Sequence, residues 1–215
     1  MTFSIVARDA QTGALGVASA TAGPAVGALV IHGAANVGAI ATQAMTNPLY
    51  GVYGLRYLRQ GMTAVQTLEK LLDEDSNAEQ RQLIIVDRSG GVARWNGKLC
   101  GEYAASQSID GGAIGGNLLA GEATLCEMQR EYQNSARLPF ADRLLAAMNA
   151  GAAAGGDRRG LHSAALKIWL DREYATLDLR ADWSDAPLSA LAEILHQTRS
   201  SPHREFFAAL PKGCI

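Results

Sequence analysis

A threonine stands at position 2, at the head of the strand-like segment Thr2-Phe3-Ser4-Ile5-Val6-Ala7. Removal of Met1 leaves a hydroxyl and a free α-amine on that one residue. The amine, with an unperturbed pKa near ~8, is a general base for the hydroxyl. Threonine hydroxyls are weak nucleophiles until something takes their proton, and an N-terminal threonine carries its own base. Threonine is small enough for the initiator methionine to be trimmed ahead of it. A chain that keeps Met1 has its amine one residue too far out.

Three polar patches stand where apolar runs end. The first is Ser19-Ala20-Thr21-Ala22-Gly23, the second Thr42-Gln43 with Thr46-Asn47, and the third Asp157-Arg158-Arg159 with Ser163. Loops at the ends of sheets are where sites are commonly built. Thr2, Asp157 and Asn47 are the candidate catalytic residues, Thr2 on its own chemistry and the other two as the family resemblance described below implies. Ser19, Gln43, Asn117 and Arg158 are candidate substrate-binding residues. In a two-sheet sandwich such ends meet at one edge, so Thr2, Ser19, Gln43, Asn47, Asn117 and Asp157 are expected around one cleft, with Arg158 near. Hydroxyls, amides and a single carboxylate suit a polar, neutral or anionic amide. Each residue also has an ordinary job open to it: Asn47 as a helix cap, Asp157 and Arg158 as a loop ion pair, Ser19 as a small residue in a tight sheet.

Other chemistries find less support. His32, His162, His196 and His203 are far apart and in no metal-ligand spacing, so no metal site is expected. No phosphate-binding glycine loop, dinucleotide fingerprint or G-x-S-x-G elbow occurs, and no cofactor is expected. A thiol enzyme through Cys100 lacks a histidine nearby in sequence. The chain of 215 residues suits one buried domain, expected over 1–199 with a tail over 200–215. It is 48% hydrophobic and 19% charged, with a net charge of −2 and no run of like charge. Nucleic acid and membrane are therefore disfavoured as partners, and a small molecule is the expected one. Low charge, apolar stretches over Val26–Ile40 and a helix carrying Tyr50, Tyr53 and Tyr57 point to a homo-oligomer, most simply a dimer. Without a signal-peptide pattern, and with Cys100, Cys126 and Cys214 widely spaced, a reducing cytoplasm is the expected location.

The elements that must position these residues follow from periodicity. Residues 2–20 read as a β-hairpin around Asp9–Gly13. Val26–Ile31 and Asn36–Thr42 read as two apolar strands. Asn47 caps a helix that has Pro48 in its first turn and ends at Gly61. Thr63 to Gln66 spells a capping box for the next helix, with Val65, Leu68, Leu71 and Leu72 on one face. Strands follow at Gln82–Arg88, Val92–Trp95 and Gly101–Ser108, then a glycine-rich connection over Asp110–Gly121. Helices over 122–132 and Pro139–Ala153, strands Ser163–Leu170 and Tyr174–Arg180, and a helix over 187–198 complete the domain. Phe206, Phe207 and Leu210 are expected to dock the tail. Strands grouped in twos and threes with helix pairs between them argue against a doubly wound sheet. The expected fold is α+β: a four-layer αββα sandwich of two mainly antiparallel sheets, each covered by a helix pair.

The blocks MTFSIVARD, AVGALV, ATQAMTNPLYG, GGNLLAG and GGDRRGLHSAAL resemble the DUF1028 family, from Thr2 to about Leu195. That resemblance implies an N-terminal-nucleophile (Ntn) hydrolase-like fold. By likeness to proteasome-type subunits it also implies Thr2 as nucleophile, with the Asp157–Ser163 loop supporting its amine. The implied activity is an Ntn-type amidohydrolase acting on a small amide-bearing molecule. A backbone N–H or the Asn47 or Asn117 amide would hold the oxyanion. The alternative is a non-catalytic Ntn-fold protein that binds a small ligand or serves as an assembly subunit. The sequence departs from the family at Gly115, where a glutamine is usual, at His162 and at Tyr103. It also has no lysine before Lys70, where proteasome-type subunits place one beside the nucleophile.

Overall fold

Alternating side chains and the Asp9–Gly13 turn build the first hairpin. In the computed structural model, which describes residues 2–213, β1 (Thr2–Arg8) pairs antiparallel with β2 (Leu15–Thr21), and Thr2 lies opposite Thr21. Met1, on which the free-amine chemistry depends, lies outside the described residues, as does Cys214. The chain continues through α1 (Val26–Leu29), β3 (Ile31–Ala34), β4 (Gly38–Ala44), α2 (Leu49–Arg59) and α3 (Ala64–Asp73). Then come β5 (Arg81–Asp87), β6 (Val92–Asn96), β7 (Ala105–Ile109) and β8 (Gly112–Asn117). The remaining elements are α4 (Ala123–Asn134), α5 (Phe140–Ala153), β9 (Ser163–Trp169), β10 (Leu177–Ala181), α6 (Pro187–Gln197) and α7 (Ser201–Ala209).

A six-stranded sheet has the order β10-β9-β2-β1-β8-β7 and a four-stranded sheet the order β3-β4-β5-β6. Every pairing between named strands is antiparallel. Successive strand residues face opposite sides, so each strand serves two layers at once. Phe3, Ile5, Ile114 and Leu166 pack outward with Met128, Leu144 and Leu191 of α4, α5 and α6. Ile40, Leu83 and Ile85 pack outward with Leu58 and Leu71 of α2 and α3. Val6, Val17, Ala41, Ile84 and Val86 fill the layer between the sheets. The expected αββα sandwich is the fold observed, with three helices rather than a pair over the larger sheet.

Helix starts follow their capping residues. Asn47 Oδ1 accepts the Leu49 N–H at 3.1 Å, and Thr63 and Gln66 exchange the two bonds of a capping box.

Several expectations need correction. Val26–Ile31 is not a strand. Ala25 takes a left-handed backbone with φ 52, and the short α1 precedes β3, so the second hairpin turns at residues 35–37. Ser163 Oγ accepts the Val26 N–H at 3.1 Å and donates to Gly23 O at 2.6 Å, which ties this bend to β9. The expected strand over Gly101–Ser108 is confined to β7 and runs on to Ile109. The supposed connection over residues 110–121 contains β8, which sits beside β1 near the middle of the larger sheet. Its glycines reflect close packing: a Cβ at Gly112 would come within 2.2 Å of the Val6 carbonyl oxygen. Val65 is exposed, and α3 buries Ala64, Thr67 and Leu71 instead. Tyr50 is buried rather than part of a surface stripe. The tail forms α7, and its Phe206 is exposed.

Candidate functional site

The layer between the sheets changes character along its length. One end holds valines, isoleucines and alanines. Toward the other end the same inward positions become polar: Thr2 and Ser4 on β1, Ser19 and Thr21 on β2, Gln43 on β4, Gln82 on β5 and Asn117 on β8. All are buried. Register aligns them, because Thr2 pairs with Thr21 on one side and Asn117 on the other, and Ser4 pairs with Ser19 and Gly115.

Buried polar groups cost folding free energy unless they bond to one another. Here they do. Thr2 Oγ1 donates to Thr21 Oγ1 at 3.2 Å. Ser4 Oγ donates to Gln43 Oε1 at 2.6 Å. Ser4 has one proton, so the 2.8 Å contact between Ser4 and Ser19 is donated by Ser19. Gln43 Nε2 donates to the Thr2 carbonyl at 3.3 Å and to Gln82 Oε1 at 2.6 Å. Asn117 Nδ2 donates to the same Gln82 oxygen at 3.0 Å. Gln82 Nε2 faces three acceptors: Asn96 Oδ1 at 2.6 Å, Ala105 O at 3.0 Å and Gly116 O at 2.8 Å. One side chain thus connects β4, β5 and β6 of the small sheet to β7 and β8 of the large one.

Gln82 was not among the expected site residues. It is a polar residue at the start of the apolar run Leu83–Val86, and that position was its trace in the sequence. Gly115 lies in the same layer. A Cβ there would sit 3.3 Å from Ile84 Cγ2 and from Ser106 Cβ, so a larger residue needs both neighbours to give way.

Asp157 joins the cluster from the side. Its Oδ2 accepts the N–H of Ala22, which follows Thr21, at 3.0 Å, and its Oδ1 accepts the Arg159 N–H at 2.8 Å. The Arg159 guanidinium closes an ion pair at 3.1 Å on this fully buried carboxylate. A backbone bridge between Leu119 and Asp157 lays the loop beside the end of β8. Arg158 stands further out, donating to Glu102 at 3.3 Å. Thr2, Ser19, Gln43, Asn117 and Asp157 are therefore gathered at one end of the sandwich, with Arg158 at the edge.

Asn47 belongs elsewhere. It follows β4 on the helix-covered side, where its amide donates to Asp75 Oδ2 at 3.2 Å while its oxygen caps α2. Gln43 lies on the inward face of β4, whereas Asn47 stands in the loop after that strand, bonded to Asp75 and Leu49 and to none of the Thr2 cluster's side chains. Asp75 also accepts from Arg81 Nε at 3.0 Å and from the Asn77 N–H at 2.9 Å. Burial pushes the Asp75 carboxyl up, but the bonds from Arg81, Asn77 and Asn47 outweigh it and hold the pKa at about 2, below the ordinary 3.8. The folded value lies below the unfolded one, so Asp75 adds stability at pH above 3.8, lost as the pH falls through about 2. Urea unfolding should show this acid limb steeper in the wild type than in Asp75→Asn, by on the order of 1 kcal/mol between pH 4 and 2.

Among the described residues no group of three His, Cys, Asp or Glu side chains is arranged to hold a metal ion. The Cys100 thiol donates to Arg81 O at 3.1 Å, and burial pushes its pKa up, the opposite of an activated thiolate. No helix among the described residues is long and apolar enough to cross a membrane.

Fold and site together define an α+β sandwich of two antiparallel sheets with a buried hydroxyl–amide cluster at one end of the inter-sheet layer. The chain belongs to the DUF1028 family, a family of unknown function, whose model matches residues 2–191. A crystal structure of a DUF1028 protein from Silicibacter pomeroyi superimposes with a TM-score of 0.92 at 31% identity, covering 98% of this chain and 92% of that one. Anbu, the ancestral β-subunit from Yersinia bercovieri, aligns over 99% of this chain and 100% of its own at 10% identity, with a TM-score of 0.41, too low to carry an inference. No curated protein matches the sequence significantly.

Proposed function

We propose that this protein is an Ntn-type amidohydrolase acting on a small amide-bearing molecule, with Thr2 as nucleophile once Met1 is removed. The observation that carries this reading is the placement of Thr2. It is the second residue of the chain, it begins a strand inside the larger sheet, and its hydroxyl lies within the buried polar cluster. As the bond from Thr2 Oγ1 to the substrate carbonyl carbon forms, the hydroxyl proton passes to the α-amine. The resulting ammonium returns that proton to the leaving nitrogen as the C–N bond breaks. Water then attacks the ester by the same route, releasing the acid and restoring Thr2. Asn117 is the best-placed oxyanion donor, because Gln82 takes one of its amide protons and the other has no partner among the described residues. Asp157 holds the end of β2, and so Thr21, against Thr2.

A second reading, a non-catalytic binding protein of the same fold, is favoured by one observation. The Thr2 hydroxyl already has a partner in Thr21, and no lysine or arginine donates to it among the described residues. The intact mass of the protein purified from its own host separates the two. A mass short by one methionine is expected for the enzyme. Full retention of Met1 leaves no amine on Thr2 and overturns the hydrolase in favour of the binder.

A further inference from the structure

Helix α7 buries none of its own residues. It is held across the β9–β10 hairpin by Arg172, which is only 6% exposed. The Arg172 guanidinium lies 4.3 Å from the centre of the Phe207 ring. Its Nη1 donates to Phe207 O at 3.0 Å, to Leu210 O at 3.3 Å and to the Tyr174 hydroxyl at 2.6 Å. These bonds fasten the end of the helix without filling the space beneath it. A cavity of about 450 Å³ remains between α7, the hairpin and helices α5 and α6. That volume falls within the usual range of small-molecule sites.

The cavity has apolar walls and a basic rim. Ala141, Ile168, Leu177, Leu195 and Phe207 contribute to the walls. Arg199 and Arg204 stand at the rim, and none of the described residues lining the cavity is an aspartate or glutamate. Arg199 is shared with Asp142. Arg204 has no carboxylate partner among the described residues. An open apolar groove bordered by an unneutralised guanidinium matches a ligand with an apolar body and an anionic head.

We propose that this cavity binds a medium-chain carboxylate, with its chain under α7 and its head group at Arg204 and Arg199. The site is separate from the Thr2 cluster. Ser163 pairs with Thr21 at one end of β9, and Ile168 lies five residues along it, roughly 16 Å away at strand rise. Ile168 also faces the helices, whereas the polar cluster lies between the sheets. The proposal therefore stands or falls independently of any hydrolase activity.

Calorimetric titration with sodium decanoate, below its micellar range, tests it, with decyltrimethylammonium as the charge-reversed control. The expected result is saturable one-to-one binding of decanoate, at least ten-fold tighter than the cation. Arg204→Ala, at an exposed position, should weaken decanoate about five- to ten-fold and leave the thermal midpoint unchanged. Ala208→Trp, which sends an indole into the cavity from an exposed helix position, should abolish binding. Equal affinity for the two head groups, decanoate binding that survives Ala208→Trp, or no saturable binding would each overturn the proposal.

Discussion

Replacing Gln82 with leucine is expected to lower the unfolding free energy by about 3–5 kcal/mol, a large share of the stability of an ordinary domain. Leucine has similar bulk, so the loss is one of hydrogen bonding rather than volume. The amide protons of Gln43 and Asn117 lose their shared acceptor. Asn96 Oδ1 and the carbonyls of Ala105 and Gly116 lose a donor. A buried group left unsatisfied costs ~1–3 kcal/mol, and partial compensation, such as the remaining bond from Gln43 to the Thr2 carbonyl, keeps the sum below the simple total. Urea denaturation reads the effect as a fall in midpoint at constant slope. A loss under about 1 kcal/mol would mean that water replaces the amide, and that the inter-sheet layer is wetter than these bonds imply. Ser4→Ala should cost less, about 1–2 kcal/mol, because it disturbs only Ser19 and one lone pair of Gln43.

The other large effect is catalytic. Any member of a panel of amide, lactam and ureido compounds that the wild type hydrolyses should be turned over at least ~10³-fold more slowly by Thr2→Ala, because the nucleophile is gone. Thr2→Ser keeps the hydroxyl and the amine and should retain measurable turnover. The fold should survive either change. Thr2→Ala removes a single hydroxyl bond to Thr21, worth about 1 kcal/mol. Inserting a glycine between Met1 and Thr2 moves the amine one residue away without touching the hydroxyl, and should cost nearly as much as Thr2→Ala. Hydrolysis that persists in both the Thr2→Ala and the glycine-insertion proteins would place the reaction at another group.

Much of this fold was legible in one dimension. Two apolar-rich runs, Thr2–Arg8 and Leu15–Thr21, on either side of the Asp9–Gly13 turn mark a hairpin, and Thr63 with Gln66 marks the start of α3. Such signals are local: a few neighbouring residues determine them, whatever the rest of the chain does. The terminal hydroxyl of Thr2 and the polar ends of the apolar runs were legible for the same reason.

Which polar ends meet was decided only in three dimensions. Gln43 and Asn47 are four residues apart, yet one enters the layer between the sheets and the other turns outward to cap α2 and bond Asp75. Period-two alternation would put residues four apart on one face, but β4 ends at Ala44 and the loop after it redirects Asn47. Strand β8 was hidden for a related reason. Its glycines carry no strand propensity and are required by the close approach of β1, a contact between residues more than a hundred positions apart. Gln82 became the centre of the cluster because antiparallel pairing and sheet stacking bring four other strands around it. The sequence by itself determined the kinds of residue available to a site, and the stacking of the two sheets decided which of them share one.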